Sequence, residues 1–331
     1  MMRPRRSEPW SRARAAGSWN DSGIGDRRAA CGTPRRIQEQ PIFFPAEGET
    51  LSGVYSAPLE ADSRAVIVLG VGGTTPTATG RNRFFVTLCR RLAELGQPTL
   101  RFDYHGLGDR TGRSEFRLDR PFLGDLEGAV SCVVDQGVTR YVLLGTCFGA
   151  RTALSGAPML KGPDGLVLLT PPVREYALSE PRTAGRALRD YATAVIRPKS
   201  LLGPDERLTV RRHLRFAGSG GRIALRRVRD RLSGKRGSLS WVSRRFLDPL
   251  TTLAERRTPV LTLYGTNDEE YRDFEVARGE GLGAFLARLP SVEVQTLDGQ
   301  VHGFTRVVSR RPTMDAIVDW LDRVSPRKDP S

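Results

Sequence analysis

Short apolar runs rich in Val, Ile and Leu recur along the chain and are separated by segments of helix length. Such runs are typical of parallel strands that are covered on both faces. The connecting segments, such as residues 82–95, repeat apolar residues every three or four positions and predict amphipathic helices. Strands joined by helical crossovers form a parallel sheet with helices on both faces. The sequence therefore predicts an α/β domain, with strands at residues 65–70, 98–102, 141–145, 165–170, 259–264 and 292–297.

Two segments depart from this alternation and divide the chain. Residues 1–36 are rich in Arg, Ser, Gly and Pro and lack apolar periodicity, which predicts a disordered basic tail. Residues 173–248 contain no strand-like run and are crowded with arginine, which predicts a helical lid inserted into the domain. The predicted core consists of residues 37–172, opening with a β-hairpin, and residues 249–331.

The net charge of +15 belongs to these two segments. Residues 1–36 carry nine Arg against three acidic residues, and residues 174–247 carry nineteen Lys and Arg against six. No helix-turn-helix, zinc-finger or aromatic RNA-binding pattern accompanies the charge, and no apolar run approaches the ~18 residues that span a bilayer. We therefore expect neither nucleic acid nor membrane as a partner, although a charge-driven binder of either kind remains an alternative.

The four cysteines, at positions 31, 89, 132 and 147, show no metal-ligand spacing. Cys89 and Cys132 fall on apolar positions of predicted helices, where a free thiol behaves as a small hydrophobic side chain. No apolar leader of a secretory signal precedes the domain. The expectation is a protein of the reducing cytoplasm without disulfides, bound metal or cofactor.

Cys147 stands in Gly145-Thr146-Cys147-Phe148-Gly149, between a predicted strand and a predicted helix. This is the G-x-nucleophile-x-G pattern, in which a strained turn projects the nucleophile above the sheet. Flanking glycines are needed because side chains there would collide with the strand and the helix. The helix N-terminus favours a thiolate, the nucleophilic form of cysteine. The alternative is a structural cysteine in a glycine-rich turn.

An acid and a histidine follow the elbow in the chain order nucleophile, acid, histidine. Asp268 follows the strand at residues 259–264 in Gly-Thr-Asn-Asp, with Glu269, Glu270 and Asp273 as nearby rivals. His302 follows the last predicted strand, whereas His105 and His213 lie before the elbow and within the predicted lid. The sequence therefore predicts a triad of Cys147, His302 and Asp268, in which the acid fixes the histidine tautomer.

A glycine-rich loop after the first parallel strand completes the predicted site. Its glycines, Gly72 and Gly73, allow a backbone N–H to face the N–H of Phe148, the residue after the nucleophile. Two such donors would form an oxyanion hole for a developing negative charge.

At this point the sequence resembles a known family. The run from Val66 to Gly112, with GRNRFF and RFDYHGLGD, and the elbow GTCFGAR are similar to the exosortase A system-associated hydrolases, which carry a cysteine in the elbow. The likeness covers residues 40–172 and 258–325. Dienelactone hydrolases are more distantly similar and share that cysteine. The resemblance implies an α/β-hydrolase fold and a Cys-His-Asp triad on residues 147, 302 and 268.

A cysteine triad fits several reactions of an ester, thioester or lactone of a small molecule: hydrolysis, acyl transfer, or elimination of a carboxylate. Elimination of acetate from an acetylated tetronate ring is attributed to enzymes with a similar cysteine elbow, so the resemblance implies a biosynthetic role. The arginines of the predicted lid, Arg211, Arg212 and Arg215, are candidates to bind an anionic substrate, a coenzyme A thioester or an acidic carrier protein. A non-catalytic binding protein on a hydrolase scaffold is the remaining alternative.

Overall fold

A single sheet organises the computed structural model, which describes residues 35–59, 64–69, 78–106, 119–174, 239, 242–302 and 309–324. Its eight strands, taken within these residues, lie in the order β1-β2-β4-β3-β5-β6-β7-β8. Strand β2 is antiparallel to both of its neighbours, and the other neighbouring pairs are parallel. The strands are β1 (Ile37–Ala46), β2 (Glu49–Pro58), β3 (Arg64–Leu69), β4 (Thr99–Phe102), β5 (Arg140–Thr146), β6 (Gly165–Leu169), β7 (Val260–Gly265) and β8 (Val292–Leu297).

Helices cover both faces of the sheet. They are α1 (Phe84–Glu94), α2 (Leu123–Asp135), α3 (Phe148–Gly156), α4 (Arg244–Glu255), α5 (Glu269–Ala277), the four-residue α6 (Gly283–Leu286) and α7 (Arg310–Val324). Helices α1 and α7 pack on one face against Val142 and Leu144 of β5. The cluster on the other face contains apolar residues of α2 to α5 together with Tyr141 and Leu143 of the same strand. Successive residues of β5 thus serve opposite cores, which is why the central strands are apolar throughout.

The predicted architecture, a mostly parallel sheet with helices on both faces, is confirmed. All six predicted parallel strands are present, with bounds that differ by one residue or none at each end. Three helices, α4, α5 and the four-residue α6, were not predicted. Helix α4 begins inside the predicted lid, where Pro249 and neighbouring arginines obscure its buried stripe of Phe246, Leu247, Leu250 and Leu253. Helix α5 is mostly polar and buries only Glu270, Phe274 and Ala277, so its periodicity is weak.

The predicted basic tail and lid lie mostly outside the described residues. At the tail boundary, the Arg35 N–H donates to the Glu94 carbonyl and the Leu59 N–H donates to the Arg36 carbonyl, both at 3.2 Å. The described backbone is therefore bonded to the domain two residues before β1. Among the helices of the described residues, none has the length and apolar character that a bilayer crossing requires.

Candidate active site

Cys147 forms the corner between β5 and α3, with φ 51° and ψ −107°. A positive φ is strained for a residue that carries a Cβ atom, and such strain concentrates at functional sites. The turn depends on glycine, because a Cβ atom at Gly145 would lie 2.3 Å from the carbonyl oxygen of Gly149. The Cys147 N–H donates to the carbonyl of Leu169 on β6 at 2.9 Å. Cys147 is only 2% exposed, so this corner holds a covered thiol at the carboxyl end of the central strand.

His302 lies in the loop after β8 and reaches the elbow from the far side of β7. Its ring is hydrogen-bonded to the thiol of Cys147. One atom each of Cys147, His302 and the buried Glu270 lie within 4.8 Å of one another. The structure therefore brings together the predicted nucleophile and the predicted base, which are far apart in sequence.

The two carboxylates after β7 make different contacts with His302. Asp268 Oδ2 accepts the backbone N–H groups of Gly265 at 3.0 Å, Val301 at 2.9 Å and His302 at 3.0 Å. Nδ1 of the His302 ring lies instead 3.2 Å from Oε2 of Glu270. The contact with the ring thus belongs to Glu270, which departs from the predicted triad with Asp268.

The departure has a simple steric reason. Asp268 directly precedes α5, and its short side chain turns back to the loops after β7 and β8, where backbone N–H groups occupy it. Glu270 lies in the first turn of α5 and has one more methylene. From the sequence, Glu270 is only an alternative to Asp268. The two acids could not be distinguished because the start of α5 was not predicted.

Burial and charge shift two pKa values at this site. Burial raises the pKa of Asp268 to about 6, against the lowering effect of the N–H groups of Val301 and His302. Burial alone would lower the pKa of His302. The sulfur of Cys147 and the carboxylate of Glu270 outweigh it and raise that pKa well above its ordinary value. The site therefore favours an imidazolium ring beside the sulfur.

A cleft of about 350 Å³ lies on the His302 side of the site. Its lining is polar and consists of Asn267, Asp268, Glu269, Glu270, Arg272, Gln300 and His302. The His302 side chain is 26% exposed and that of Glu270 is 1% exposed. Access from this cleft therefore reaches the histidine before the acid.

The other predicted site residues are only partly described. Phe148 is the first residue of α3, so its N–H belongs to the helix turn whose donors point away from the helix. The predicted oxyanion residues Gly72 and Gly73 lie outside the described residues. So do the lid arginines Arg211, Arg212 and Arg215.

A second pair of a histidine and an acid lies just after β4. This pair was not predicted from the sequence. His105 Nδ1 is 2.9 Å from Oδ1 of Asp125, and the His105 N–H donates to Oδ2 of the same carboxylate at 2.9 Å. Asp125 is fully buried, and the His105 ring packs against Phe122 with 4.2 Å between ring centroids. This pair holds the turn after β4 against α2.

Arg151, in α3 one turn after the nucleophile, joins the two ends of the predicted lid. Its fully buried guanidinium donates to the carbonyl of Pro172 at 3.1 Å and to Oγ of Ser243 at 2.7 Å. The Ser243 N–H donates to the Val173 carbonyl at 2.8 Å. The chain therefore leaves and re-enters the core at one place, beside the elbow helix.

Solved structures of other proteins are similar to this architecture over most of the chain. An esterase from Pyrococcus furiosus, Pf2001, aligns with a TM-score of 0.54 over 88% of this chain and 97% of its own, at 16% identity. An α/β serine hydrolase homologue from Coxiella burnetii aligns with a TM-score of 0.50 over 85% and 97%, at 18% identity. XC6422 from Xanthomonas campestris, described as an α/β serine hydrolase without a lid, aligns with a TM-score of 0.50 over 88% and 97%, at 15% identity.

No protein-family model matches the chain. No curated protein matches it either. At these identities the structural likeness concerns the fold. Together with the strand order and the corner at Cys147, it shows that the chain has the α/β-hydrolase fold.

Proposed function

We propose that the protein is a cysteine-dependent enzyme that acts on an ester, thioester or lactone of a small molecule. One observation carries the proposal: the Cys147 thiol, the His302 ring and the Glu270 carboxylate lie within 4.8 Å of one another at a strained strand-to-helix corner. A buried structural cysteine would require neither the positive φ nor a charged histidine beside it.

The first step forms an acyl-enzyme. The sulfur of Cys147 attacks the substrate carbonyl carbon, and the proton of the thiol resides on His302. The Glu270 carboxylate stabilises the resulting imidazolium and holds the ring. When the tetrahedral intermediate collapses, the bond to the leaving group breaks and His302 gives its proton to that group.

Two features would assist this step. The negative charge that develops on the carbonyl oxygen requires hydrogen-bond donors, and we assign one of them to the Phe148 N–H at the start of α3. The loop with Gly72 and Gly73 is the proposed source of the second donor. Asp268 contributes indirectly, because its bonds to the Val301 and His302 N–H groups fix the loop that carries the base.

The acceptor decides the net reaction. Water would release an acid, whereas an alcohol or amine would give acyl transfer, with His302 removing the acceptor's proton in each case. Elimination is the third possibility: a basic group of the site removes a substrate proton, a carbon–carbon double bond forms and a carboxylate such as acetate leaves. The resemblance to enzymes of small-molecule biosynthesis, including tetronate pathways, motivates this last reaction.

Intact-mass spectrometry tests the proposal. The full chain is incubated with activated esters and thioesters, such as p-nitrophenyl acetate and acetyl coenzyme A, and compared with Cys147→Ala. We expect the mass of one acyl group on the wild type, mapped to Cys147, and none on the variant. Acylation of another residue, or of none across the panel without product release, would contradict a cysteine acyl-enzyme. The second result would favour a non-catalytic binder.

A further inference from the structure

The three groups at the elbow are also three metal ligands. Thiolate, imidazole and carboxylate are the side chains that bind Zn²⁺ in proteins, and three of them leave a fourth position for water. A serine in place of Cys147 would remove the softest of these donors. The cysteine therefore gives this elbow a set of metal-binding donor atoms that a serine would not provide.

The spacing of the donors suits one ion. Zinc bonds of ~2.0–2.3 Å place tetrahedral ligands about 3.5 Å apart. One atom each of Cys147, His302 and Glu270 already lie within 4.8 Å of one another, so small side-chain rotations would close the shell. The Glu270 carboxylate is a neighbour of the sulfur rather than separated from it by the full width of the imidazole ring.

The donors are within reach of solvent through His302. Zn²⁺ binds the deprotonated thiol and the neutral imidazole, so its binding releases protons to solvent. His302 lines the polar cleft of about 350 Å³, which supplies a path for the ion.

We propose that Cys147, His302 and Glu270 together bind a single Zn²⁺ ion, which inhibits the enzyme by occupying its nucleophile. The binding rests on geometry alone, whereas the inhibition rests on the proposed acyl-enzyme function. Zinc would then act as a reversible inhibitor, and a chelator added in excess over the metal would restore activity.

A second cluster provides an internal control. Glu47, His105 and Asp125 also lie within 4.8 Å of one another, but they include no thiol, and Asp125 is already bonded to His105. An ion bound there would give no sulfur signal. His105→Ala is therefore a matched histidine variant, and Cys132→Ser is a matched variant of another buried thiol.

Cadmium titration of the full chain tests the binding, because Cd²⁺ bound to thiolate absorbs in the ultraviolet. We expect a saturable band with one Cd²⁺ per chain, competed by Zn²⁺. It should be absent in Cys147→Ala and unchanged in His105→Ala and Cys132→Ser. His302→Ala and Glu270→Gln should each weaken binding by at least ~10-fold, the lower bound observed even for loss of an outer-sphere partner. Circular dichroism establishes that each variant is folded.

The outcomes separate the two proposals. A band that survives in Cys147→Ala, or wild-type affinity in Glu270→Gln, would overturn the three-ligand site. Acylation of Cys147 without a cadmium band would refute the metal site and leave the proposed function intact. A cadmium band without acylation would support the metal site and contradict the proposed acyl-enzyme function. If the band forms, Zn²⁺ should block acylation, and EDTA should restore it.

Discussion

Oε2 of Glu270 lies 3.2 Å from Nδ1 of His302, whereas Asp268 bonds to the backbone N–H of that histidine. A catalytic triad assigns two tasks to a single acid, and here each of the two carboxylates after β7 performs one of them. Glu270 acts on the ring and its charge. Asp268 fixes the loop that carries the ring.

Substitution of each acid should separate these tasks. We expect Glu270→Gln to slow acylation of Cys147 about 100-fold with little loss of melting temperature, because the imidazolium loses its partner. Asp268→Asn should lower both, since an amide cannot accept the N–H groups of Gly265, Val301 and His302 together. Stopped-flow acylation and thermal melts measure the two effects.

The exposed neighbour Glu269 supplies the control for this comparison. Glu269→Gln removes the same charge one residue away and should change neither quantity. Loss of activity in Asp268→Asn at an unchanged melting temperature, with Glu270→Gln silent, would restore Asp268 as the acid of the ring.

Thiol labelling should single out Cys147. Burial raises the pKa of Cys89 and of Cys132 to about 11 in each case, so both stay protonated near neutrality. We expect iodoacetamide to label Cys147 before either of them, because Cys147 lies at the N-terminus of α3 and beside the imidazolium of His302.

Peptide mapping at pH 6 and pH 8 checks this order among the three described cysteines. His302→Ala should slow the labelling of Cys147 at both pH values. Faster labelling of Cys89 or Cys132 would contradict the assignment of the nucleophile.

Asp268 should also make the free energy of unfolding depend on pH. Its pKa rises from an unfolded value of ~3.9 to about 6, so the folded state binds the proton more tightly. The contribution of this group to the free energy of unfolding must then fall as pH rises from about 4 to about 6, and it stays constant above that window. The full effect is ~3 kcal/mol.

Denaturant unfolding of wild type and Asp268→Asn at several pH values between 4 and 6.5 measures this difference in slope. The wild type should lose stability relative to the variant across the window. Parallel curves would mean that Asp268 has an ordinary pKa in the folded state.

Arg151 should matter for stability more than a surface arginine does. We expect Arg151→Ala to lower the free energy of unfolding by about 3 kcal/mol, because it opens a cavity and leaves the Pro172 carbonyl and the Ser243 hydroxyl without their donor. Arg140, whose side chain is 53% exposed and pairs with Asp164, is the matched control. Arg140→Ala should cost less than ~1 kcal/mol. Equal losses in the two variants would argue against Arg151 as an anchor.

The positive charge of residues 174–247 predicts a preference for anionic substrates. Reversal of Arg211, Arg212 and Arg215 to Glu should lower kcat/KM for a coenzyme A thioester by ~10-fold and spare a small neutral ester. Added salt should reduce the wild-type kcat/KM for the thioester alone, because ions screen exposed charges beyond about 10 Å. Equal effects on both substrates would mean that these arginines serve no substrate.

The sequence by itself determined the sheet and the elbow. The parallel strands were predicted to within a residue because buried strands are continuously apolar, and that signal is local. The corner at Cys147 was equally readable, since the required Gly145 and the second glycine of the motif, Gly149, lie within one turn of it. His302 could be chosen because so few histidines compete for the loop after the last strand.

Only the tertiary structure decided which carboxylate faces the ring. Asp268 and Glu270 are two residues apart on a polar helix start, and no local pattern distinguishes them. The choice depends on which N–H groups the loops after β7 and β8 present, and those loops meet only when the two strands pair. The same holds for Arg151: its partners, Pro172 and Ser243, lie 71 residues apart and converge through the packing of α3 and α4. Contacts between distant segments carry no periodicity, so folding alone establishes them.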